Sequence, residues 1–132
     1  MVKILGIDGV DYSDTVLVDE IAENFTLAVG MASMTLQNGR KMHDVIGTEY
    51  SHTLLIRRNP MVPTEKWDEF CEVIAAPVEY HTVEVEHGQG TMIYEAHITN
   101  GGRTLLRREG NKKIWSDLTL IFEPAEPQRR AE

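Results

Sequence analysis

The chain has 132 residues, and its 42% hydrophobic and 26% charged residues are an ordinary composition for one globular domain. With 13 Lys and Arg against 21 Asp and Glu, the formal net charge is −8, and this acidic balance repels polyanions and excludes a general nucleic-acid-binding role. No apolar run approaches the roughly 20 residues that span a bilayer. We therefore expect a cytosol-made protein with no membrane partner and no sequence-specific nucleic acid.

The first half of the chain carries weak strand patterns. Residues 3–8 are typical of a short strand, whereas residues 25–31 alternate only weakly. The Asn38-Gly39 pair is a strong hairpin signal, because a two-residue turn of this kind needs a positive φ at both central positions. We therefore expect a hairpin or protruding loop around Asn38, and we take Asn38, Gly39 and Arg40 as candidate interface residues.

Alternation of apolar and polar residues dominates the second half. Residues 50–58, 78–86, 92–99 and 113–123 each predict a strand. The turn residues at 87–90 join the second and third of these into a predicted hairpin. The inward-facing residues of the first and last strands are expected to be Tyr50, His52, Leu54, Ile56, Ile114, Leu118, Leu120 and Phe122.

One helix is predicted over residues 64–75, with Thr64 as its N-cap. Apolar residues at spacings of three and four define its inner face: Trp67, Phe70, Cys71 and Ile74. The outer face carries an acidic row: Glu65, Asp68, Glu69 and Glu72. The helix ends before Pro77, because the residue that precedes a proline disfavours helical conformation.

Strands in succession with one helix between them predict a mainly β (α+β) fold. The expected architecture is an antiparallel β-sandwich or a half-open barrel with one packed α-helix. We expect a single β-rich domain over residues 1–123. Residues 124–132 lack hydrophobic side chains that could anchor them, so we expect an extended or disordered C-terminal tail.

The residues offer no catalytic, cofactor or metal site. The serines lack the Gly-x-Ser-x-Gly pattern, and Cys71 falls on the apolar face of the predicted helix. His81 and His97 could share a face of paired strands, but a slip of one residue separates them and no further ligand completes the set. We therefore expect a protein that is not an enzyme and holds no tightly bound metal.

Charge is unevenly distributed along the chain. Residues 103–113 contain five basic residues and one acidic residue; the basic ones are Arg103, Arg107, Arg108, Lys112 and Lys113. One interpretation is a solvated strand edge, where basic side chains discourage pairing with another sheet. The other is a head-to-tail contact with the acidic helix row of a second copy, which closes into a ring or extends into a filament.

Several short stretches resemble one family of proteins. The stretches include DVIGT at 44–48, LIRRN at 55–59, WDEF at 67–70, QGTMIYEA at 89–96 and ITNGGR at 98–103. These stretches, spread over residues 35 to 130, resemble a family of small proteins encoded in prophages of Gram-positive bacteria.

That resemblance implies a phage or prophage tail structural protein with a fold similar to that of tail-tube and tail-terminator proteins. It further implies self-association, in a ring-forming homo-oligomer, and docking to other phage tail proteins. The protein would be made in the bacterial cytoplasm and would reside in the virion tail once assembled.

Two alternatives to this tail role stay open. The main one is a soluble β-domain that binds a small molecule or a glycan between its sheets. The second is a small hydrolase with an unfamiliar site, which the absence of a recognisable triad disfavours.

Overall fold

The computed structural model describes residues 3–30, 33–102 and 104–130. One helix, α1, spans Thr64–Ile74. The strands are β1 (Leu5–Ile7), β2 (Val10–Asp11), β3 (Val16–Val29), β4 (Met34–Thr35), β5 (Lys41–Met42), β6 (Val45–Arg58), β7 (His81–His87), β8 (Gly90–Asn100), β9 (Leu105–Glu109), β10 (Lys112–Trp115), β11 (Leu118–Pro124) and β12 (Arg129–Arg130).

Eight of these strands form one antiparallel sheet. Strands β6, β11, β8, β7, β1 and β2 follow one another in that order, β3 pairs along one edge of β6, and β12 pairs with the other edge of β6 beyond the end of β11. The β4–β5 and β9–β10 pairs are separate two-stranded hairpins. The expected mainly β fold with one packed helix is therefore confirmed, and the sheet is open rather than closed into a barrel. Within the described ranges, no helix is long and apolar enough to cross a membrane.

The hydrophobic core lies between one face of this sheet and α1. Trp67 and Phe70 are buried, and the partly buried Cys71 and Ile74 pack against the same cluster. The ring of Phe70 lies 5.1 Å from that of Tyr12, edge to face. The sheet contributes the remaining buried apolar residues: Leu5, Ile7, Val16, Val18, Leu54, Ile56, Val83, Val85, Tyr94, Ala96, Leu118, Leu120 and Phe122.

The helix prediction is confirmed in its extent and in its inner face. Its N-terminal cap is different, because Pro63 occupies the N-cap position and, among the described residues, no side chain bonds to the free N–H groups there. Thr64 is the first helical residue and not the cap. The fixed φ of proline suits the entry to a helix, so the sequence can begin the helix without a hydroxyl cap.

The strand predictions of the second half hold with one break and one later start, since the strand predicted over 78–86 begins only at His81. Strand β6 begins five residues earlier than the predicted 50–58, and β7 and β8 form the predicted hairpin with Gly88 in a positive-φ conformation. The predicted strand 113–123 is interrupted at Ser116, whose side chain and backbone bond to Thr104. Residues before the break pair with β9, and those after it enter the main sheet. The predicted inward position of Ile114 lies outside the described side chains.

The first half contains more strand than its pattern indicated. Strand β3 runs for 14 residues beside β6 and includes residues 25–29. A hairpin does form at the Asn-Gly pair, but only Gly39 has a positive φ, of 84°. The Gly39 N–H bonds to the Leu36 carbonyl oxygen at 2.9 Å, so the turn is longer than the predicted two-residue type.

The C-terminal segment is extended along β6. Between β11 and β12, the side-chain amide of Gln128 takes the place of a peptide group. Its Oε1 accepts a hydrogen bond from the Tyr50 N–H at 2.9 Å, and its Nε2 donates one to the Tyr50 carbonyl oxygen at 2.8 Å. Arg129 and Arg130 then pair with Thr48 and Gly47. Residues 125–130 thus continue the path of β11 along the same edge of β6.

Gly47 permits this attachment of β12, and Gly47→Ala is expected to release it. A Cβ at Gly47 would collide with the Arg129 carbonyl oxygen and would lie 2.9 Å from the Pro127 Cβ. The released segment should be cleaved by trypsin at Arg129 faster than in the wild type. Gly102→Ala is the control, since a Cβ there meets nothing within 4 Å in the part of the chain that the structure describes. Equal cleavage rates in the two variants would show that Gly47 does not control the attachment.

Candidate interaction surface

The outer parts of β3 and β6 form an arm beyond the point where Glu23 faces His52. We define the arm as residues 24–29 and 45–51 together with the β4–β5 hairpin. Every described residue from 34 to 46 is exposed. The arm therefore lies outside the packed core.

One face of the arm is apolar. Because side chains alternate along a strand, Phe25 and Leu27 lie on the same face as the core residues of β6. Their exposed fractions are 71% and 56%, and that of Val29 is 47%. A soluble monomer seldom exposes adjacent large apolar side chains in this way, so this face is a candidate contact surface.

The tip of the arm carries the interface candidates Asn38, Gly39 and Arg40. All three are exposed. The side chain of Asn38 accepts a hydrogen bond from the Arg40 N–H at 3.0 Å, which fixes the turn and leaves the Arg40 guanidinium on the surface. The structure thus places these residues in the turn between β4 and β5, at the end of the arm.

The acidic row and the basic segment lie beside each other. Glu65 and Asp68 of α1 line one cavity of about 310 Å³ together with Lys113 of β10. Opposite charges therefore already meet within one chain, at the start of the helix. Glu69 and Glu72 lie further along α1 and line an open depression beside Tyr12.

The rest of the basic segment is the exposed β9–β10 hairpin. Arg107 is paired with Glu109 at 2.9 Å, and Arg108 lies opposite Lys113 in the hairpin register. Arg103 and the side chain of Lys112 lie outside the described part of the structure. The contact of this segment with a second copy stays a prediction.

A cluster of polar side chains, not foreseen from the sequence, lies at the base of the arm. Glu23 of β3, His52 of β6 and His87 at the end of β7 bring three ligand-type atoms together. Oε1 of Glu23 lies 2.7 Å from Nδ1 of His87 and 3.9 Å from Nε2 of His52, and the two nitrogens are 3.4 Å apart. His52 is fully buried, whereas Glu23 and His87 are partly accessible.

Curvature of the sheet assembles this cluster. Strands β11 and β8 separate β6 from β7, so in a flat sheet the two strands would lie about 14 Å apart at about 4.8 Å per step. The ring centroids of His52 and His87 are only 5.6 Å apart. Tyr94 of β8 lies between them in sheet order, and its hydroxyl is 2.8 Å from Nδ1 of His52. Burial raises the pKa of Tyr94, so this hydroxyl stays protonated.

The histidines considered from the sequence do not meet. His81 pairs with Ala96 in the hairpin, which puts His97 on the opposite face. His81 is buried and donates to Asp8, whereas His97 is exposed and donates to the Glu79 carbonyl oxygen. Sequence spacing could not predict the cluster of Glu23, His52 and His87, because its members are 29 and 35 residues apart.

A cavity of about 550 Å³ lies at the end of α1, between the helix and strands β8 and β11. Its lining is partly apolar and includes Ile74, Ile98 and Leu120. Its volume falls within the range of small-molecule sites. It is the place where the alternative, ligand-binding role would be sought.

The fold and the exposed arm define a class of protein: a mainly β chain with one open sheet, one helix against it and a hairpin arm with an apolar face. A solved structure with this fold is the crystal structure of the SPP1 Dit protein, described as a paradigm of the hub adsorption apparatus in phages that infect Gram-positive bacteria. The TM-score is 0.55 at 13% sequence identity. The match covers 96% of this chain and 51% of that one, so the chain spans about half the length of its structural neighbour.

The likeness shows a shared fold, which is one that a phage tail-associated protein uses. No protein-family model matches the chain. No curated protein sequence matches it significantly.

Proposed function

We propose that this chain is a structural protein of a phage tail that acts by self-association and by docking to neighbouring tail proteins. The exposed apolar face of the arm is the observation that carries the proposal. The fold shared with a phage hub protein supports the tail as the setting, and the short stretches that resemble prophage proteins support it independently of that fold.

The proposed occupant of the apolar face is a second copy of the chain. Phe25 and Leu27 lie on the core-facing side of the sheet, beyond the core itself. They form an apolar surface that nothing described in the chain covers. A second copy that supplies an apolar surface would bury these side chains and stabilise the contact by about 25 cal/mol for each Å² of apolar area. Repeated head-to-tail contacts of this kind close into a ring when the rotation between neighbours permits.

Charged side chains help to align the two subunits in this contact. The tip of the arm carries Arg40 and Lys41, and the outer row of α1 is acidic. Attraction between exposed charges is worth only about 0.2–1 kcal/mol per pair, so these groups steer the subunits and the apolar face supplies most of the affinity. The proposal assigns the chain no catalytic role, no membrane partner and no nucleic acid.

Replacing both Phe25 and Leu27 with Ser is expected to prevent assembly, because the apolar contact is lost while the strand pairing is kept. The wild type is expected to form oligomers visible as rings by negative-stain microscopy and as a larger mass by light scattering. The double variant is expected to be a folded monomer.

Ile93→Ser is the matched control for this experiment. Ile93 is also exposed, with a fraction of 64%, but it lies on β8 and outside the arm. Its variant should assemble like the wild type. A wild type that stays monomeric at high concentration, or a double variant that assembles normally, would refute the proposed contact. Saturable binding of a small molecule or glycan at the cavity beside α1 would favour the ligand-binding alternative.

A further inference from the structure

The cluster of Glu23, His52 and His87 has the composition of a metal site. Two imidazole nitrogens and one carboxylate oxygen are a ligand set that suits zinc and other divalent first-row ions. The three atoms come from three separate strands, and they lie within 3.9 Å of one another. The sheet therefore presents them to a common point.

The distances are compatible with one metal ion held between the three side chains. Zinc bonds to nitrogen and oxygen are about 2.0–2.2 Å long, which in tetrahedral geometry separates neighbouring ligand atoms by about 3.4 Å. The two nitrogens are 3.4 Å apart, and the distances from Glu23 bracket that value. Nδ1 of His87 can hold only one proton, and at 2.7 Å it donates that proton to Oε1 of Glu23. Nε2 of His52 then faces Nδ1 of His87, whose proton is donated to Glu23 and not to His52.

The surroundings hold the ligands in place. Nδ1–H of His52 can donate to the Tyr94 hydroxyl oxygen at 2.8 Å, and this tautomer directs the lone pair of Nε2 at the cluster. The Gly88 N–H donates to Oε1 of Glu23 at 3.1 Å and orients the carboxylate.

We propose that Glu23, His52 and His87 bind one divalent transition-metal ion of the zinc type at the base of the arm. The partly exposed Glu23 and His87 give the ion access from solvent and leave a position for water. The bound ion joins β3 and β6 to the β7–β8 turn, so it fastens the arm to the body of the protein. This inference stands apart from the proposed tail role, and it differs from the expectation from the sequence that the chain holds no tightly bound metal.

Titration of untagged, chelator-treated protein with Zn²⁺ tests the proposal. Calorimetry should give one equivalent per chain, and Co²⁺ in place of Zn²⁺ should give a visible absorption band of a bound ion. Zn²⁺ should also raise the melting temperature, because an ion that binds only the folded state stabilises it by mass action.

Variants assign the site. Tyr94→Phe removes a hydroxyl that only supports a ligand and should weaken metal binding by about 10- to 100-fold. Glu23→Gln and His87→Ala each remove a ligand and should weaken metal binding by more than that. His43→Ala is the control, since His43 is exposed between β5 and β6 and its loss should leave binding unchanged. If His87→Ala does not fold, the near-isosteric Glu23→Gln carries the test. A wild type without stoichiometric binding, or binding unchanged in Glu23→Gln, would overturn the site.

Discussion

Phe70→Ala is expected to lower the free energy of unfolding by about 3–5 kcal/mol. The Phe70 side chain is fully buried, and it packs against the rings of Tyr12 and Trp67. Truncation leaves a cavity that the helix cannot fill, because α1 is held on the sheet by Trp67 as well. Chemical denaturation followed by tryptophan fluorescence measures the loss.

Glu72→Ala is the matched control for Phe70. Glu72 is two residues further along the same helix on its exposed face, so its truncation should change the free energy of unfolding by less than about 0.5 kcal/mol. A loss below about 1 kcal/mol in Phe70→Ala would contradict the cavity argument. It would mean that the helix lies on the sheet by its other face.

Asp8→Ala is expected to lower the free energy of unfolding by about 1–3 kcal/mol, the cost of an unsatisfied buried polar group. Nδ1 of the buried His81 donates to Oδ2 of Asp8 at 2.7 Å. Among the described residues, Nε2 of His81 has no hydrogen-bond partner. Removal of the carboxylate would therefore strand both nitrogens of a buried ring. Asp8 also has a φ of 52°, a conformation that alanine adopts less readily than aspartate.

Asp8→Asn separates the hydrogen bond from the charge. Asparagine keeps an acceptor and tolerates the same φ, so its loss of stability should be smaller than that of alanine. Asp14→Ala, in the adjacent turn, is the control for removal of an exposed carboxylate. Equal stability of Asp8→Ala and Asp14→Ala would show that His81 does not depend on Asp8.

The same pair predicts a change at acid pH. The hydrogen bond from His81 holds the pKa of Asp8 below its ordinary value of 3.8. The folded state therefore favours the ionised carboxylate. Its contribution is complete above the unfolded pKa and is lost as the pH falls through the lower, folded pKa. The wild type should lose stability in this range more steeply than Asp8→Asn, as denaturation midpoints at pH 3 and pH 5 would reveal.

Local periodicity predicted the elements that bury one face. The helix from 64 and the strand that carries His52, Leu54 and Ile56 follow such patterns, so their inner faces could be read from spacing alone. The outer part of β3 was harder to read, because Phe25 and Leu27 alternate with other small and polar residues but lie outside the core. Burial selects regular alternation of apolar and polar residues, and the arm is not buried, so its sequence shows the alternation only weakly.

The candidate sites divide in a similar way. The acidic row on α1 and the turn at Gly39 depend on neighbours in sequence, and both were located from the sequence. The metal-type cluster depends on the curvature of the sheet, which brings His87 across two intervening strands to His52. Nothing in the spacing of the histidines specifies that curvature, so only the folded chain reveals the site.

The position of β11 governs when the chain can complete its fold. It lies between β6 and β8, and it joins the β3–β6 pair to the sheet formed by β7, β8, β1 and β2. Both groups are synthesised before residue 118, yet within the described ranges β11 alone joins them into one sheet. On the ribosome the nascent chain would therefore carry two unfinished sheets, each with an open edge, until its last long strand emerges. Such late, long-range pairing slows folding and leaves strand edges open to aggregation until it is complete.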